Sequence, residues 1–185
     1  MTQYKITAPV LDAWSAILRA APHARLLLAN AALQSPCNRE YVREAFARRG
    51  VGPGQIELRG PAEHLKFLGY YDEIDLALDA FPYNGGTTTM EALWQGVPVL
   101  ALDGDRWAAR TSQTLLRRCP LGEFVAADVA GYVAAAVRWA GDPAAPMRLR
   151  DLRRGMRAML LQSSACDTAA LARGMETLYR EATGR

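Results

Sequence analysis

Apolar residues recur along the chain in two alternating patterns, one with helical spacing and one uninterrupted. Leu11, Trp14 and Ile17 form an apolar stripe at helical spacing, and Pro9 suits the first turn of that helix. Residues 25–30 are a short apolar run, which is typical of a strand buried on both faces. The two patterns alternate as far as residue 140, so the sequence predicts an α/β fold.

Turn-forming and capping residues divide this pattern into elements. Strands are predicted at residues 25–30, 55–58, 74–79, 97–102 and 123–126. Helices are predicted to begin near residues 8, 38, 64, 87, 107 and 128, and Asp128 is expected to cap the last of them. Trp14 and Trp94 fit the buried stripes of their helices. Repeated β-then-α units predict a Rossmann-like parallel sheet with helices on both faces.

The pattern changes after residue 143, where only helical spacing remains. Residues 147–161 and 168–182 both read as helices, and no strand is predicted between them. We therefore predict a Rossmann-like domain at residues 1–143 and a helical C-terminal appendage at residues 144–185.

Composition is that of an ordinary globular domain. The 185 residues are enough for one buried core, and 50% of them are hydrophobic. A net charge of +3 does not indicate nucleic-acid binding. Cys37, Cys119 and Cys166 have no metal-binding or redox spacing, which favours a reducing compartment. With no signal peptide and no apolar run of roughly 18 residues, we expect a cytoplasmic protein with no membrane partner.

The strongest local signal lies at residues 79–91, where a predicted strand ends, a loop turns at Gly85 and Gly86, and a helix begins with three threonines. The free N–H groups and partial positive charge of a helix N-terminus bind anions without any basic side chain. The two glycines let the backbone approach a ligand closely, and the hydroxyls of Thr87 and Thr88 are further donors. Glu91, in the first turns of the helix, has the chemistry to accept hydrogen bonds from ribose hydroxyls.

Each of these residues also has a purely structural interpretation. The loop before Thr87 can simply cap a helix, and a carboxylate at Glu91 favours the helix dipole. His64 follows a predicted strand at the same sheet edge, but it can equally be a surface histidine. Asp79 can cap the loop that follows it. Lys5, close to a terminus, has by itself the pattern of a solvated surface residue.

Other types of site receive no support from the sequence. A Walker lysine, a G-x-G-x-x-G fingerprint, a G-x-S-x-G elbow and metal-ligand spacing are all missing, so we expect no metal. A run of arginines at helical spacing has two interpretations, a solvated helix face or a docking surface. Its members are Arg148, Arg150, Arg153, Arg154 and Arg157. Aromatic residues do not interleave with them, so nucleic acid is not indicated.

The motif D-x-F-P-Y-N-G-x-T-T-x-x-E-A-L-W-x-G-V-P-V at residues 79–99 resembles the C-terminal catalytic region of protein O-GlcNAc transferases and SPINDLY-like glycosyltransferases. The resemblance extends from residues 4–6 through residues 104–106 to residues 178–179. It implies the second half of a GT-B fold, in which two Rossmann-like halves enclose the active site. The tetratricopeptide repeats and the first catalytic half of that family have no counterpart in these residues.

The resemblance implies a role for each matching residue. Lys5 matches the lysine that neutralises the diphosphate as the glycosidic bond breaks, and we expect it on a strand. His64 matches a histidine near the uracil and phosphates. Thr87 and Thr88 match the pair that holds the diphosphate, and Glu91 matches an acidic residue on the ribose. Gly86 departs from the family, which usually has histidine or threonine there. Ala29-Asn30 also departs from a common Lys-Ser.

The implied reaction is inverting transfer of N-acetylglucosamine from UDP-N-acetylglucosamine to a protein Ser or Thr hydroxyl, with no metal or other cofactor. Its implied partners are the UDP-sugar, a protein acceptor, and the repeats and first catalytic half. Two alternatives remain open at this point. One is a non-catalytic nucleotide-binding or docking module, and the other is a relative of nucleotide-sugar epimerases.

Overall fold

The computed structural model of the protein describes residues 3–184. Its helices are α1 (Ala8–Ala20), α2 (Pro36–Ala47), α3 (His64–Gly69), α4 (Thr87–Trp94), α5 (Thr111–Arg118), α6 (Val129–Gly141), α7 (Ala145–Gln162) and α8 (Thr168–Thr183). Its strands are β1 (Leu26–Ala29), β2 (Ile56–Arg59), β3 (Ala77–Leu78), β4 (Val99–Leu102) and β5 (Val125–Ala126). Parallel strands with flanking helices confirm the predicted α/β class.

The strands form two parallel groups instead of the single sheet expected. One group is β1–β2, in which Leu26 pairs with Ile56, and the other has the order β3–β4–β5. Residues of both β1 and β3 line a cavity of about 590 Å³, and both groups contribute to one hydrophobic cluster. All pairings are parallel, so within each group the carboxyl ends of the strands lie at one edge.

The first part of the core packs α1 against α6. Trp14 and Tyr132 are both fully buried there, and the Trp14 indole Nε1 donates to the Tyr132 hydroxyl at 3.1 Å. That hydroxyl in turn donates to the backbone oxygen of Asp79 at 2.9 Å. Burial raises the pKa of Tyr132, so its hydroxyl keeps the proton that it donates. The end of β3 is therefore held by the centre of the core.

The second part of the core involves α4, α5 and α7. Leu93, Leu116, Met156 and Leu160 are fully buried in it. The helix α7 thus packs on the α/β layers, whereas α8 contributes no buried residue. The division of the chain at residue 143 stays a prediction.

Several elements differ in detail from the sequence-based expectation. The predicted helix at residues 107–118 begins as a separate 3₁₀ turn, Trp107–Ala109, before α5. Strands β3 and β5 are only two residues long, since pairing with β4 defines their length. Trp94 is 38% exposed instead of buried, with the Arg157 guanidinium 4.9 Å from its ring centre. Asp128 caps α6 as predicted, accepting from the Gly131 amide at 2.7 Å.

Within residues 3–184, no helix combines the length and the apolar character needed to cross a bilayer.

Candidate functional site

A cavity of about 570 Å³ opens at the N-terminus of α4. The segments that line it follow the carboxyl ends of β1, β2, β3 and β4, and the N-terminal turn at Lys5 completes the lining. Ligand sites of parallel α/β folds lie at this edge. The lining residues are Tyr4, Lys5, Ala29, Asn30, Ala31, Gly60, Pro61, Ala62, Phe67, Tyr83, Asn84, Gly85, Gly86, Thr87, Thr88, Trp107 and Thr111.

The first turn of α4 presents backbone donors to this cavity. The helix begins at Thr87, and its N-cap is Gly86, which has no side chain to accept from the helix amides. The amides of Thr87 and Thr88 have no acceptor inside the helix because they belong to its first turn. Both residues line the cavity. The positive end of the helix dipole and these donors therefore face the same space.

The buried carboxylate of Asp79 fixes the loop before α4. Its Oδ1 accepts from the amide of Ala80 at 2.9 Å and from the amide of Gly85 at 2.8 Å. Ser112 Oγ donates to the Gly85 oxygen at 3.1 Å. Burial raises the pKa of Asp79, and the amide bonds oppose that rise. Asp79 thus positions the loop, as its capping interpretation implied, and does not line the cavity.

Close packing leaves no room for a side chain at Gly85. A Cβ atom there would lie 2.6 Å from Thr89 Oγ1 and 2.9 Å from Thr88 Oγ1. At Gly86 the nearest atom to an added Cβ is Thr111 Cγ2, at 3.4 Å. The first glycine is therefore required by packing, whereas the second site has room for a small side chain.

Lys5 lies beside the same loop. It ends a 3₁₀ turn, Gln3–Lys5, and not the strand that we expected. Its Nζ donates to the backbone oxygen of Asn84 at 2.6 Å and stands 3.9 Å from the ring centre of Tyr83. Contact with Asn84, 79 positions away along the chain, places this amine in the cavity wall.

His64 and Glu91 form a pair next to the cavity but are not among its lining residues. His64 Nε2 lies 3.8 Å from Glu91 Oε1, where His64 is largely exposed and Glu91 largely buried. Glu91 is one helical turn after Thr87, so both occupy one face of α4. The structure therefore brings Lys5 and residues 85–88 around one space, with this pair at its side.

Sequence reasoning assigned no role to the four aromatic residues of the lining, Tyr4, Phe67, Tyr83 and Trp107. Tyr4 and Tyr83 stack with ring centres 6.3 Å apart, and Trp107 is 83% exposed at the cavity. Trp107 follows the carboxyl end of β4, which was the signal that could have identified it.

Titratable side chains do not gather into a metal site in the described chain. Across residues 3–184, no group of three or more His, Cys, Asp or Glu residues is arranged to hold a metal ion. The donors at the cavity are amides, hydroxyls and one amine, which suit an anion.

Comparison with known proteins decides the family. The model of glycosyl transferase family 41 matches residues 1–175. This chain belongs to glycosyl transferase family 41. The resemblance to O-GlcNAc transferases and SPINDLY-like glycosyltransferases is thereby confirmed.

Relatives of this family 41 chain include plant, animal and bacterial proteins. The probable UDP-N-acetylglucosamine–peptide N-acetylglucosaminyltransferase SPINDLY of Oryza sativa subsp. japonica is 35% identical over 95% of the chain. The UDP-N-acetylglucosamine–peptide N-acetylglucosaminyltransferase of Caenorhabditis elegans is 31% identical over 75% of it. The chain spans 19% and 12% of the lengths of these two relatives.

A solved structure shares the fold. A mutant O-GlcNAc transferase from Thermobaculum terrenum superposes with a TM-score of 0.85 at 38% identity. The match covers 94% of the family 41 chain and 34% of that protein.

Proposed function

We propose that this chain is the donor-binding half of an inverting glycosyltransferase. The enzyme moves N-acetylglucosamine from UDP-N-acetylglucosamine to Ser or Thr hydroxyls of proteins. The observation that carries the proposal is the convergence of the Lys5 amine and the first amides of α4 on one cavity. Family membership and the activities for which the relatives are named support this choice of substrates.

The pyrophosphate of the donor lies at the N-terminus of α4 in this proposal. The amides and hydroxyls of Thr87 and Thr88 donate to its oxygens, and the helix dipole favours its charge. Gly85 allows the close packing of the loop, and Gly86 lets the ligand approach the backbone closely. Lys5 exchanges its bond with the Asn84 oxygen for one with a phosphate oxygen, which is a stronger, charge-assisted partner.

The nucleoside extends towards His64 and Glu91. Glu91 accepts hydrogen bonds from the ribose hydroxyls, and His64 packs near the uracil and the phosphates. Their separation of 3.8 Å supports a common role because one ligand can contact both side chains.

In the transfer step, the acceptor hydroxyl oxygen forms a bond to the anomeric carbon on the face opposite UDP. The bond from that carbon to the β-phosphate oxygen breaks, and its electron pair leaves with UDP. The hydroxyl proton passes to a base or to solvent. Lys5 and the α4 amides stabilise the charge that grows on the diphosphate, which is electrostatic catalysis without a metal.

The first catalytic half and the tetratricopeptide repeats of the family complete the enzyme in this proposal, so these 185 residues alone bind donor without transferring sugar.

The exposed apolar residues of α8 are proposed to pack on that first half. They are Leu171, Met175, Leu178 and Tyr179. Joint replacement of Leu171 and Leu178 by glutamate should abolish association with the first half and leave UDP binding unchanged. If the double variant still associated with the first half as the wild type does, α8 would not be the surface that packs on it.

Calorimetric titration with UDP-N-acetylglucosamine tests donor binding. Lys5→Ala should weaken binding by about tenfold or more, since a charge-assisted hydrogen bond is lost. Lys66→Ala is the matched control, because Lys66 is exposed on α3 and does not line the cavity. Absence of heat at millimolar donor, with circular dichroism showing a folded chain, would contradict the proposal.

The contacts of two arginines weaken the alternative in which the arginine run of α7 is a docking surface. Arg153 donates to the backbone oxygens of Tyr71, Ile74 and Gln95, and Arg157 donates to that of Trp94. These two arginines therefore hold α7 against the rest of the fold.

A further inference from the structure

Trp107 combines high exposure with a place in the cavity wall. It is 83% exposed, whereas Trp14 and Trp139 are buried and Trp94 is 38% exposed. It lines the same cavity as Lys5 and Thr88. Small-ligand pockets are lined by aromatic side chains together with a few polar groups, so this ring has the place and the chemistry to contact a bound ligand.

The segment that carries Trp107 is held in place by its own contacts. The amide of Asn84 donates to the Ala108 oxygen at 2.9 Å, which connects this segment to the loop before α4. Arg110 Nε donates to the Gly104 oxygen at 2.8 Å. Gly104 is packed so closely that an added Cβ would lie 2.6 Å from the Ala109 oxygen. The indole is therefore presented from a fixed backbone, and little ordering is needed when a ligand arrives.

The surrounding contacts indicate which part of the donor meets the ring. In the proposed function, the nucleoside contacts His64 and Glu91. Neither of these residues lines the cavity that Trp107 lines. The leaving diphosphate contacts Lys5, and Lys5 does line that cavity. Lys5 contacts the Asn84 oxygen, and the Asn84 amide contacts Ala108, next to Trp107. The ring thus lies near Lys5 and away from the proposed nucleoside site, which leaves the sugar as the part of the donor that it meets.

We infer that Trp107 is a specificity-determining residue whose indole covers one face of the donor sugar ring. This inference rests on the proposed function. An indole face is apolar, and one face of a pyranose presents mainly C–H groups, so stacking removes apolar surface from water. The sugar hydroxyls remain at the ring edge, where they stay hydrated. Trp107 thereby distinguishes a UDP-sugar from UDP, which Lys5 and the α4 amides do not.

Titration calorimetry with UDP-N-acetylglucosamine and with UDP on the 185-residue chain tests the inference. Trp107→Ala should weaken binding of the UDP-sugar by about fivefold and change binding of UDP by less than about twofold. Trp107→Phe should recover most of the loss because it retains an aromatic face. Trp94→Phe is the control, since Trp94 does not line the cavity.

The outcomes separate this inference from the proposed function. If Trp107→Ala weakened the binding of UDP and of the UDP-sugar equally, the inference would be overturned. The indole would then contact the UDP part of the donor. Unchanged affinity of Trp107→Ala for both ligands would also overturn the inference. The indole would then be available to contact the acceptor instead of the donor. In both cases the proposed function stands. If the wild-type chain binds neither ligand while folded, the proposed function fails and the inference fails with it.

Discussion

At the scale of single residues, Gly85 and Gly86 look alike in sequence but are constrained differently. An added Cβ at Gly85 would meet the hydroxyls of Thr88 and Thr89, whereas at Gly86 it would meet only a methyl group of Thr111 at 3.4 Å.

Gly85→Ala should therefore displace the first turn of α4 and abolish measurable UDP binding. Overpacking of this kind costs about 1–3 kcal/mol of stability. Gly86→Ala should bind UDP within about threefold of wild type, since its Cβ makes ordinary contact. Calorimetry on both variants checks this expectation. Equal behaviour of the two alanine variants would show that the described loop geometry is wrong.

The buried Asp79 carboxyl should make stability depend on pH. Its folded-state pKa is raised above the ordinary 3.8 by burial, so the folded chain binds the proton more tightly than the unfolded chain does. The free energy of unfolding should consequently fall as pH rises from the ordinary value through the raised one. Asp79→Asn removes that group from titration while keeping an oxygen for the amides of Ala80 and Gly85.

Urea unfolding at about pH 4.5 and about pH 7.5 measures this effect. The stability of Asp79→Asn relative to wild type should improve at the higher pH. Asp105→Asn is a suitable control because the adjacent Arg106 lowers the pKa of that exposed carboxyl below 3.8, so it is ionised at both pH values and should add no pH dependence between them. A relative stability of Asp79→Asn that worsens as pH rises would contradict the assignment.

At the scale of elements, α7 is joined to the α/β layers by the guanidinium of Arg153. This group donates to three backbone oxygens, whereas Arg154 makes an exposed ion pair with Asp151. Neighbouring arginines that look equivalent in the sequence thus have unequal roles.

Arg153→Glu should destabilise the chain by about 2–4 kcal/mol, because backbone oxygens lose their donors and face a carboxylate. Arg154→Glu should change stability by less than about 0.5 kcal/mol. Urea unfolding of both variants checks the difference. Similar small effects would indicate that α7 does not depend on Arg153.

The starts of α4 and α6 were predictable because their signals are local, whereas the start of α5 and the strand lengths were not. Gly86 followed by threonines marks the start of α4, and Asp128 marks that of α6. The two-residue length of β3 depends on its hydrogen bonds with β4, which no local pattern shows. Trp94 lies on an apolar stripe in the sequence, yet its exposure depends on how α7 packs over α4.

The candidate site was predictable only in part for the same reason. Residues 85–88 stand out by themselves, since glycines and threonines at a strand-to-helix turn are a local signal. Lys5 has no such signal, and only the family resemblance selected it. Its contact with Asn84 depends on the folded path of the chain. Trp107 was missed because its turn was predicted as part of a helix.

At the scale of the whole molecule, the fold gathers one cavity from segments that are distant in sequence. The carboxyl ends of four strands and the turn at Lys5 meet at the N-terminus of α4. The core holds this edge in place through Trp14, Tyr132 and Asp79. The central claim is that this edge binds the diphosphate of a nucleotide.

The affinity ratio of UDP to uridine, measured by calorimetry on the same preparation, tests that claim most directly. If the α4 amides and Lys5 bind the diphosphate, UDP should bind at least about tenfold more tightly than uridine. Lys5→Ala should reduce that ratio and leave uridine binding unchanged. Equal affinity for UDP and uridine, in a chain shown to be folded, would contradict the account.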